Sequence, residues 1–436
     1  MSPEIILTIG MFGSLVLCIM FGVSLSFALG SIGVISAYLM YGSAGLMPIV
    51  TGVFNYMWML LLAAVPLFVF IGVALSKSKI AEDMYDAFYL WSGKLRGGLA
   101  IGTCGFAAAL SAMTGNCSAS TVTTGLVAIP PMRQRKYKES IIFGSIGASG
   151  TLGILIPPSI TLIVIGMMTG QSIGKLFAGG LVAGLAIVIM FMLYIVIRAW
   201  IQPDLCPALD ETPPLKERIR ALRSIALPTL IILSILGSLF FGIATPTEAS
   251  SVGALAVMIC VMIRGEFTWK FFKETAYQTA SITGMVLWIM FGAAGFVSIY
   301  SGGGGIYFVQ SMLMDVNLNP WTLIFIFQGV ILLLGMFLDP MGIILLCLPL
   351  FYPVVKQMGF NPIWYGVIFN IALCIGYVTP PFGYNLFYLK SLSPDTDMNM
   401  IFKSVMPFIF IMTLALILMM VFPDIITWLP NKMSVS

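Results

Sequence analysis

Between Glu4 and Lys77 the chain carries no charged side chain. A soluble fold has no interior that can hide such a run, because folded domains keep a large water-facing surface. The rest of the sequence continues the pattern: 59% of its 436 residues are hydrophobic and 9% charged, against about 25% charged in soluble domains. Such a chain needs lipid as its solvent. Its start lacks the basic region of a signal peptide and is followed by further apolar runs, so it reads as a retained span.

A bilayer-crossing helix takes roughly 20 apolar residues. The stretches 5–24, 27–45, 52–76, 141–168, 176–200, 224–243, 248–264, 276–300, 363–389 and 404–428 meet that criterion. The expected fold is therefore all-α and polytopic, with about ten transmembrane helices. Two apolar regions, 97–132 and 320–355, do not fit the list.

Region 97–132 is too long for one ordinary span, and its middle, Ala112 to Thr121, is small and polar. Lys94 and Arg96 precede it; Arg133, Arg135, Lys136 and Lys138 follow. Basic flanks at both ends place both in the cytoplasm. Such a segment is a re-entrant helical hairpin with its tip at depth, where protein or a wet cavity must satisfy the backbone. Two short full spans joined by a polar turn are the alternative. Region 320–355 has the same shape around Gly335 to Gly342 and enters from the other side. With the N-terminus outside and both regions as hairpins, 18 of the 21 Lys and Arg fall in the cytoplasm, the bias expected of membrane loops. Both termini are then periplasmic.

The halves echo each other. Each hairpin is followed by a span interrupted by paired prolines, Pro157-Pro158 and Pro380-Pro381. Asn116 to Pro157 is 41 positions, and Asp339 to Pro380 is also 41. Residues 1–200 form one repeat, with hairpin 97–132 and broken helix 141–168. Residues 224–428 form the other, with hairpin 320–355 and broken helix 363–389. A basic cytoplasmic linker, 201–223, joins them, and 429–436 is a tail. One repeat starts outside and the other inside, so this is an inverted-topology repeat, an architecture that supports alternating access in transporters. Paired prolines that merely kink two helices are the plainer reading, but the shared offset from a polar tip argues against it.

Paired prolines remove two backbone donors and block the preceding helical turn. Carbonyls freed at membrane depth need partners, and a desolvated cation is one. Sodium, like other hard cations, takes oxygen ligands. The candidate cation-binding residues are Gly115, Asn116 and Ser118 at the first tip, Ser149, Gly150, Thr151 and Pro157 on the first broken span, Gly335 and Asp339 at the second tip, and Gly376, Val378, Thr379 and Pro380 on the second broken span. That makes two cation sites, one per repeat. A substrate between them would meet Ser120, Thr121, Pro158, Ser159, Pro381 and Asn385, with half-helix N-termini turned to an anionic group. Asp339 has a second reading as a helix cap. Glu248, after Thr245-Pro246-Thr247, reads either as an intramembrane acid or as a first-turn residue at the surface. Tyr377 and Tyr384 read either as lining for a substrate path or as packing.

There is no histidine, which excludes histidine base catalysis, ligation and proton relays. Six of the seven cysteines lie scattered in apolar stretches, against a disulfide framework or a metal site. An intramembrane aspartyl protease needs two facing aspartates, and only Asp339 lies deep. Nothing calls for an organic cofactor or nucleic acid. A channel with two hairpins as its filter is a further alternative.

The residues Ala64-Val65-Pro66-Leu67-Phe68, the tip 113–121, Ile156-Pro157-Pro158-Ser159-Ile160, Gly242 to Ala249, Gly335 to Pro340 and Thr379 to Phe387 resemble, in order and over both repeats, the large DctM-like subunit of TRAP transporters. The resemblance implies a bacterial inner-membrane importer coupled to two or more Na+ ions and working as an elevator with scaffold and transport domains. It implies a small organic-acid substrate such as a C4-dicarboxylate, sugar acid or sialic acid. It also implies a periplasmic substrate-binding protein and a small membrane subunit of four helices, alongside membrane lipid. The first tip departs from the family, reading Gly115-Asn116-Cys117-Ser118 where Gly-Ser is more frequent. A stand-alone ion-coupled anion symporter or antiporter of a related inverted-repeat family is the alternative.

Overall fold

The computed structural model describes residues 3–92, 95–207, 214–315 and 318–433. Lys94, residues 208–213 of the linker and 434–436 of the tail lie outside them. The described residues form helices and their connections, without strands. Eight helical runs are long and apolar enough to cross a membrane: Pro3–Met20, Leu25–Met57, Leu60–Lys77, Ile173–Ile201, Pro246–Ile263, Trp269–Gly302, Pro340–Gln357 and Met398–Val421. Seven of these match expected spans; Pro340–Gln357 is the returning arm of the second hairpin, which qualifies by length and composition. The expected spans 141–168 and 363–389 are missing from the set because each is split in two, and 224–243 is represented only by a shorter apolar stretch, Thr229–Phe240, of the helix Leu215–Phe240.

Both hairpins are helix–tip–helix. The first is Gly98–Thr114 and Cys117–Gln134, the second Pro320–Gly335 and Pro340–Gln357. The first broken span runs Glu139–Gly150, then a tight 3-10 turn Thr151–Ile154, then Ile160–Thr169; the second is Pro362–Val378 followed by Tyr384–Leu392. Pro157-Pro158 and Pro380-Pro381 are both cis. Every side chain from Ile363 to Val378 is buried, which explains why this helix is apolar on all faces: protein surrounds it. Pro3–Met20, by contrast, buries only Leu7, Met11 and Leu15 and offers the rest of its apolar surface outward.

Two stretches differ from the sequence reading. The span 52–76 is interrupted at Trp58: Leu46–Met57 ends there, and a new helix, Ala64–Lys77, follows the turn Leu60–Ala63. Pro66 thereby falls in a first helical turn, where its missing N–H needs no acceptor. The linker is shorter than 201–223, since helix Leu215–Phe240 takes in its basic end.

Polar contacts between loops sort the ends of the helices. Arg264 pairs with Asp83 and Glu266, and Lys77 with Glu274. Arg133 pairs with Glu139 and donates to Thr396, Lys138 N donates to Leu205 O, and Trp91 donates to Arg218 O. All these groups belong to segments whose basic residues assign them to one side. On the other side, Gln171 donates to the Tyr352 hydroxyl at 3.0 Å.

Leu25–Tyr41 lies along the 34-residue helix Trp269–Gly302, which at about 1.5 Å per residue outreaches a hydrocarbon core of about 30 Å. A Cβ on Gly33 would stand 3.0 Å from the Phe296 nitrogen. Glycine there lets two apolar helices approach closely, the means by which helices associate in lipid.

Candidate functional site

Asn116 and Asp339 begin the returning arms of their hairpins. The Asn116 Oδ1 accepts from the Ser118 and Ala119 N–H groups at 2.8 and 3.3 Å, and the Asp339 Oδ2 accepts from the Met341 N–H at 3.0 Å. Each tip is thus built as a helix N-cap. Gly115, at φ +60°, makes the turn into the first cap, a conformation that costs glycine little. The capping reading of Asp339 holds in the geometry, and its second oxygen is not used by that bond.

The two tips face each other across a cavity of about 200 Å³. Gly115, Asn116, Cys117 and Ser118 line it from one hairpin, and Asp339, Pro340 and Met341 from the other. Ile154, Thr161, Tyr377 and Tyr384 come from the broken spans, and Ile282, Met285 and Val286 from the long helix. Asp339 is the one charged side chain in this lining. Asp339 and Tyr384 also border a second space of about 550 Å³ that reaches Gly22–Phe27 and Trp288. Tyr377 and Tyr384 stack with ring centres 5.8 Å apart, Tyr377 lies 3.4 Å from the Ser118 hydroxyl, and Tyr384 donates to Phe337 O. These tyrosines line the path and pack on each other at once.

Behind the first tip the freed carbonyls have protein partners. Thr151 O accepts from the Cys117 thiol at 2.9 Å and the Cys374 thiol at 3.3 Å. Ile154 O accepts from Ser159, from Thr161 at 2.9 Å and from the Asn370 amide at 2.5 Å. The two broken spans therefore touch at their breaks. Ser149 bonds back to Ser145 O, Thr151 Oγ1 to Ala148 O, Ser120 to Ser111, and Thr379 Oγ1 to Ile375 O. Gly150 packs on Thr121, Gly115 on the Pro158 carbonyl, and Gly335 on Gly376 backbone to backbone. Asn385 donates to Gly147 O at 2.8 Å. Val378 is buried, as is Pro157; Pro380 is half-buried and Pro381 exposed.

Of the sequence candidates, then, Gly115, Asn116, Ser118 and Asp339 share one cavity, with Pro158 against its edge. Ser149, Gly150, Thr151, Ser120, Thr121 and Asn385 lie behind it. Gly335 and Gly376 form a separate close contact beside the second tip. Thr121 Oγ1, Asn370 Oδ1 and Asn385 Oδ1 are buried without a protein hydrogen-bond partner. Unpaired buried oxygens are costly, and oxygen is what a hard cation takes, so the donor set fits sodium chemistry. Cys117, Cys374 and Asn370 escaped the sequence reading. Asn370, a lone amide in an otherwise apolar run, carried a signal; the thiols carried none, because their shared acceptor lies 34 and 223 positions away. Glu248 is exposed and closes a capping box with Thr245, accepting from its N–H and hydroxyl at 2.8 Å. That supports its surface reading.

The family model described as tripartite ATP-independent periplasmic transporter, DctM component, matches residues 12–425. The chain is 29% identical over 378 residues to a C4-dicarboxylate TRAP transporter large permease protein of Pseudomonas aeruginosa, spanning 86% of this chain and 87% of that protein. It is 29% identical over 375 residues to a sialic acid TRAP transporter large permease protein of Vibrio cholerae (85% and 86%). It is 27% identical over 423 residues to an ectoine TRAP transporter large permease protein of Halomonas elongata (94% and 96%). The solved structure of the YdaH transporter of Alcanivorax borkumensis superposes with a TM-score of 0.69 over 94% of this chain and 99% of that one, at 12% identity, a likeness of fold. A family match over nearly the whole length, on a polytopic helical chain with two capped hairpins and two proline-broken spans, makes this chain a member of the DctM family, the large membrane component of TRAP transporters.

Proposed function

We infer that this chain is the transport subunit of a sodium-coupled TRAP importer for a small organic acid. The observation that carries the reading is the cavity between the tips, where Asp339 is the one charged lining side chain. An organic anion entering it meets no Lys or Arg. Positive charge must come from the N-termini of Cys117–Gln134 and Pro340–Gln357, each worth about half an elementary charge, and from co-bound cations. The buried oxygens of Thr121, Asn370 and Asn385 suit such cations.

In this account sodium orders the tips against the broken spans, and the substrate then binds between them. The hairpins and broken spans move as one body against Leu25–Tyr41 and Trp269–Gly302, in an elevator motion. A periplasmic binding protein delivers the acid, and a small four-helix membrane subunit supports the scaffold in the bacterial inner membrane. The C4-dicarboxylate and sialic acid relatives support acids of that kind as substrates.

The test is uptake into proteoliposomes holding this chain, its small subunit and the loaded binding protein. An inward sodium gradient should drive uptake, and replacing it with potassium should abolish it. Uptake by this chain alone, without partner subunits, would favour a stand-alone symporter or antiporter.

A further inference from the structure

Two cysteines from different repeats converge on one carbonyl oxygen. Cys117 is the first residue of the returning arm of the first hairpin, and Cys374 lies one turn before the break of the second broken span. Their thiols both donate to Thr151 O, at 2.9 and 3.3 Å. The sulfurs are therefore no more than 2.9 + 3.3 = 6.2 Å apart. Donors directed at the two lone pairs of a carbonyl, roughly 120° apart, would place them about 5.4 Å apart. A two-coordinate metal with metal–sulfur bonds of about 2.3 Å spans about 4.6 Å. The pair needs to close by about 0.8 Å from that geometry to grip such an ion.

We propose that Cys117 and Cys374 form a binding site for a soft, linearly coordinating divalent cation, mercuric ion being the type, and that its occupation locks the first hairpin to the second repeat. The site selects by coordination number and charge. Among the described residues no group of three or more Cys, Asp, Glu or His is placed to hold a metal, so zinc, which takes four ligands in structural sites, finds too few. Thiolates favour soft ions. Two thiols and one divalent ion give a neutral S–metal–S bridge and release two protons to solvent. A monovalent ion would leave a buried negative charge near Asp339, which borders the same cavity as Cys117, and buried unpaired charge is costly. Access comes through that cavity, since Cys117 is part of its lining. Bridging gives up two S–H···O bonds and ties the hairpin arm to the helix it must leave if the tip is to open.

The experiment compares thermal unfolding of the full chain in detergent with mercuric chloride and with a monofunctional organomercurial, which caps one thiol and cannot bridge. Mercuric chloride should raise the unfolding temperature of the wild type, and the monofunctional reagent should not. Cys117→Ser and Cys374→Ala should each abolish the rise and weaken mercury binding by about a hundredfold, the scale of gain from a second tethered ligand. The other cysteines are controlled by a chain that keeps only Cys117 and Cys374, which should retain the rise and bind one mercury. A wild type with no rise, or a rise that survives either single substitution, would overturn the site. If a single variant unfolds without mercury present, the chain with only the two cysteines decides: a rise with one mercury bound supports the bridge, and its absence refutes it.

Discussion

Asn116 and Asp339 occupy the same place in the two hairpins: each is the N-cap of a returning arm, and each accepts from the backbone N–H two residues on, at 2.8 and 3.0 Å. Each also stands 41 positions before the first proline of its broken span. One side chain is an amide and the other a carboxylate, so the repeats share geometry and differ in charge. This separates capping from ion binding. In potassium chloride, without sodium, Asp339→Asn keeps an acceptor for the Met341 N–H and should unfold within about 0.5 kcal/mol of the wild type, whereas Asp339→Ala should lose about 1 kcal/mol, the usual worth of a cap. Equal losses in the two variants, measured by thermal unfolding, would contradict the capping role.

Gly335 and Gly376 bring the second hairpin and the second broken span into backbone contact. A Cβ on Gly335 would lie 2.8 Å from the Gly376 Cα. Gly335→Ala should therefore destabilise the protein by about 1–3 kcal/mol, the usual range for overpacking, and impair uptake. Gly329→Ala, on the same helix with nothing within 4 Å of its added methyl, should be neutral or slightly stabilising because alanine is the better helix former. The pair is measured together, and equal effects would remove the argument.

Glu248 supplies a control away from the cavity. Its capping box with Thr245 predicts that Glu248→Ala costs at most about 1 kcal/mol and leaves the sodium dependence of uptake intact. A changed sodium dependence would give this exposed carboxylate a role in coupling that its surroundings do not suggest.

The grouping of loop contacts predicts membrane sidedness. Single cysteines placed at Lys270 and Ser391, in a chain cleared of its own cysteines, should react with an impermeant maleimide only from the cytoplasmic side. Cysteines at Thr247 and Asn431 should react only from the periplasmic side. A reversed pattern would invert the orientation while keeping the fold.

Much of this architecture was legible because its signals are local. A polar tip between apolar arms and a proline pair inside a span announce themselves within a few residues, and the repeat made each a check on the other. The break at Trp58 was less legible: the run 52–76 carries no charge and reads as one continuous span, where the chain instead ends one helix and starts another. The satisfaction of the freed carbonyls was not legible at all. Whether Thr151 O and Ile154 O meet a cation or a side chain depends on Cys374 and Asn370, more than two hundred positions away, and no spacing in the sequence reports that.

The most direct test of the central claim, that the hairpin tips and broken spans together form sodium-binding sites, needs no substrate. Thermal unfolding of the purified protein is compared in sodium chloride and potassium chloride at equal ionic strength, for the wild type, Asn116→Ala and Asp339→Asn. A ligand bound only by the folded state at a hundred times its Kd adds about 2.7 kcal/mol of stability. The account predicts a saturable, sodium-specific rise in the wild type that both variants diminish. Identical unfolding in the two salts, or a sodium response untouched by either substitution, would contradict it.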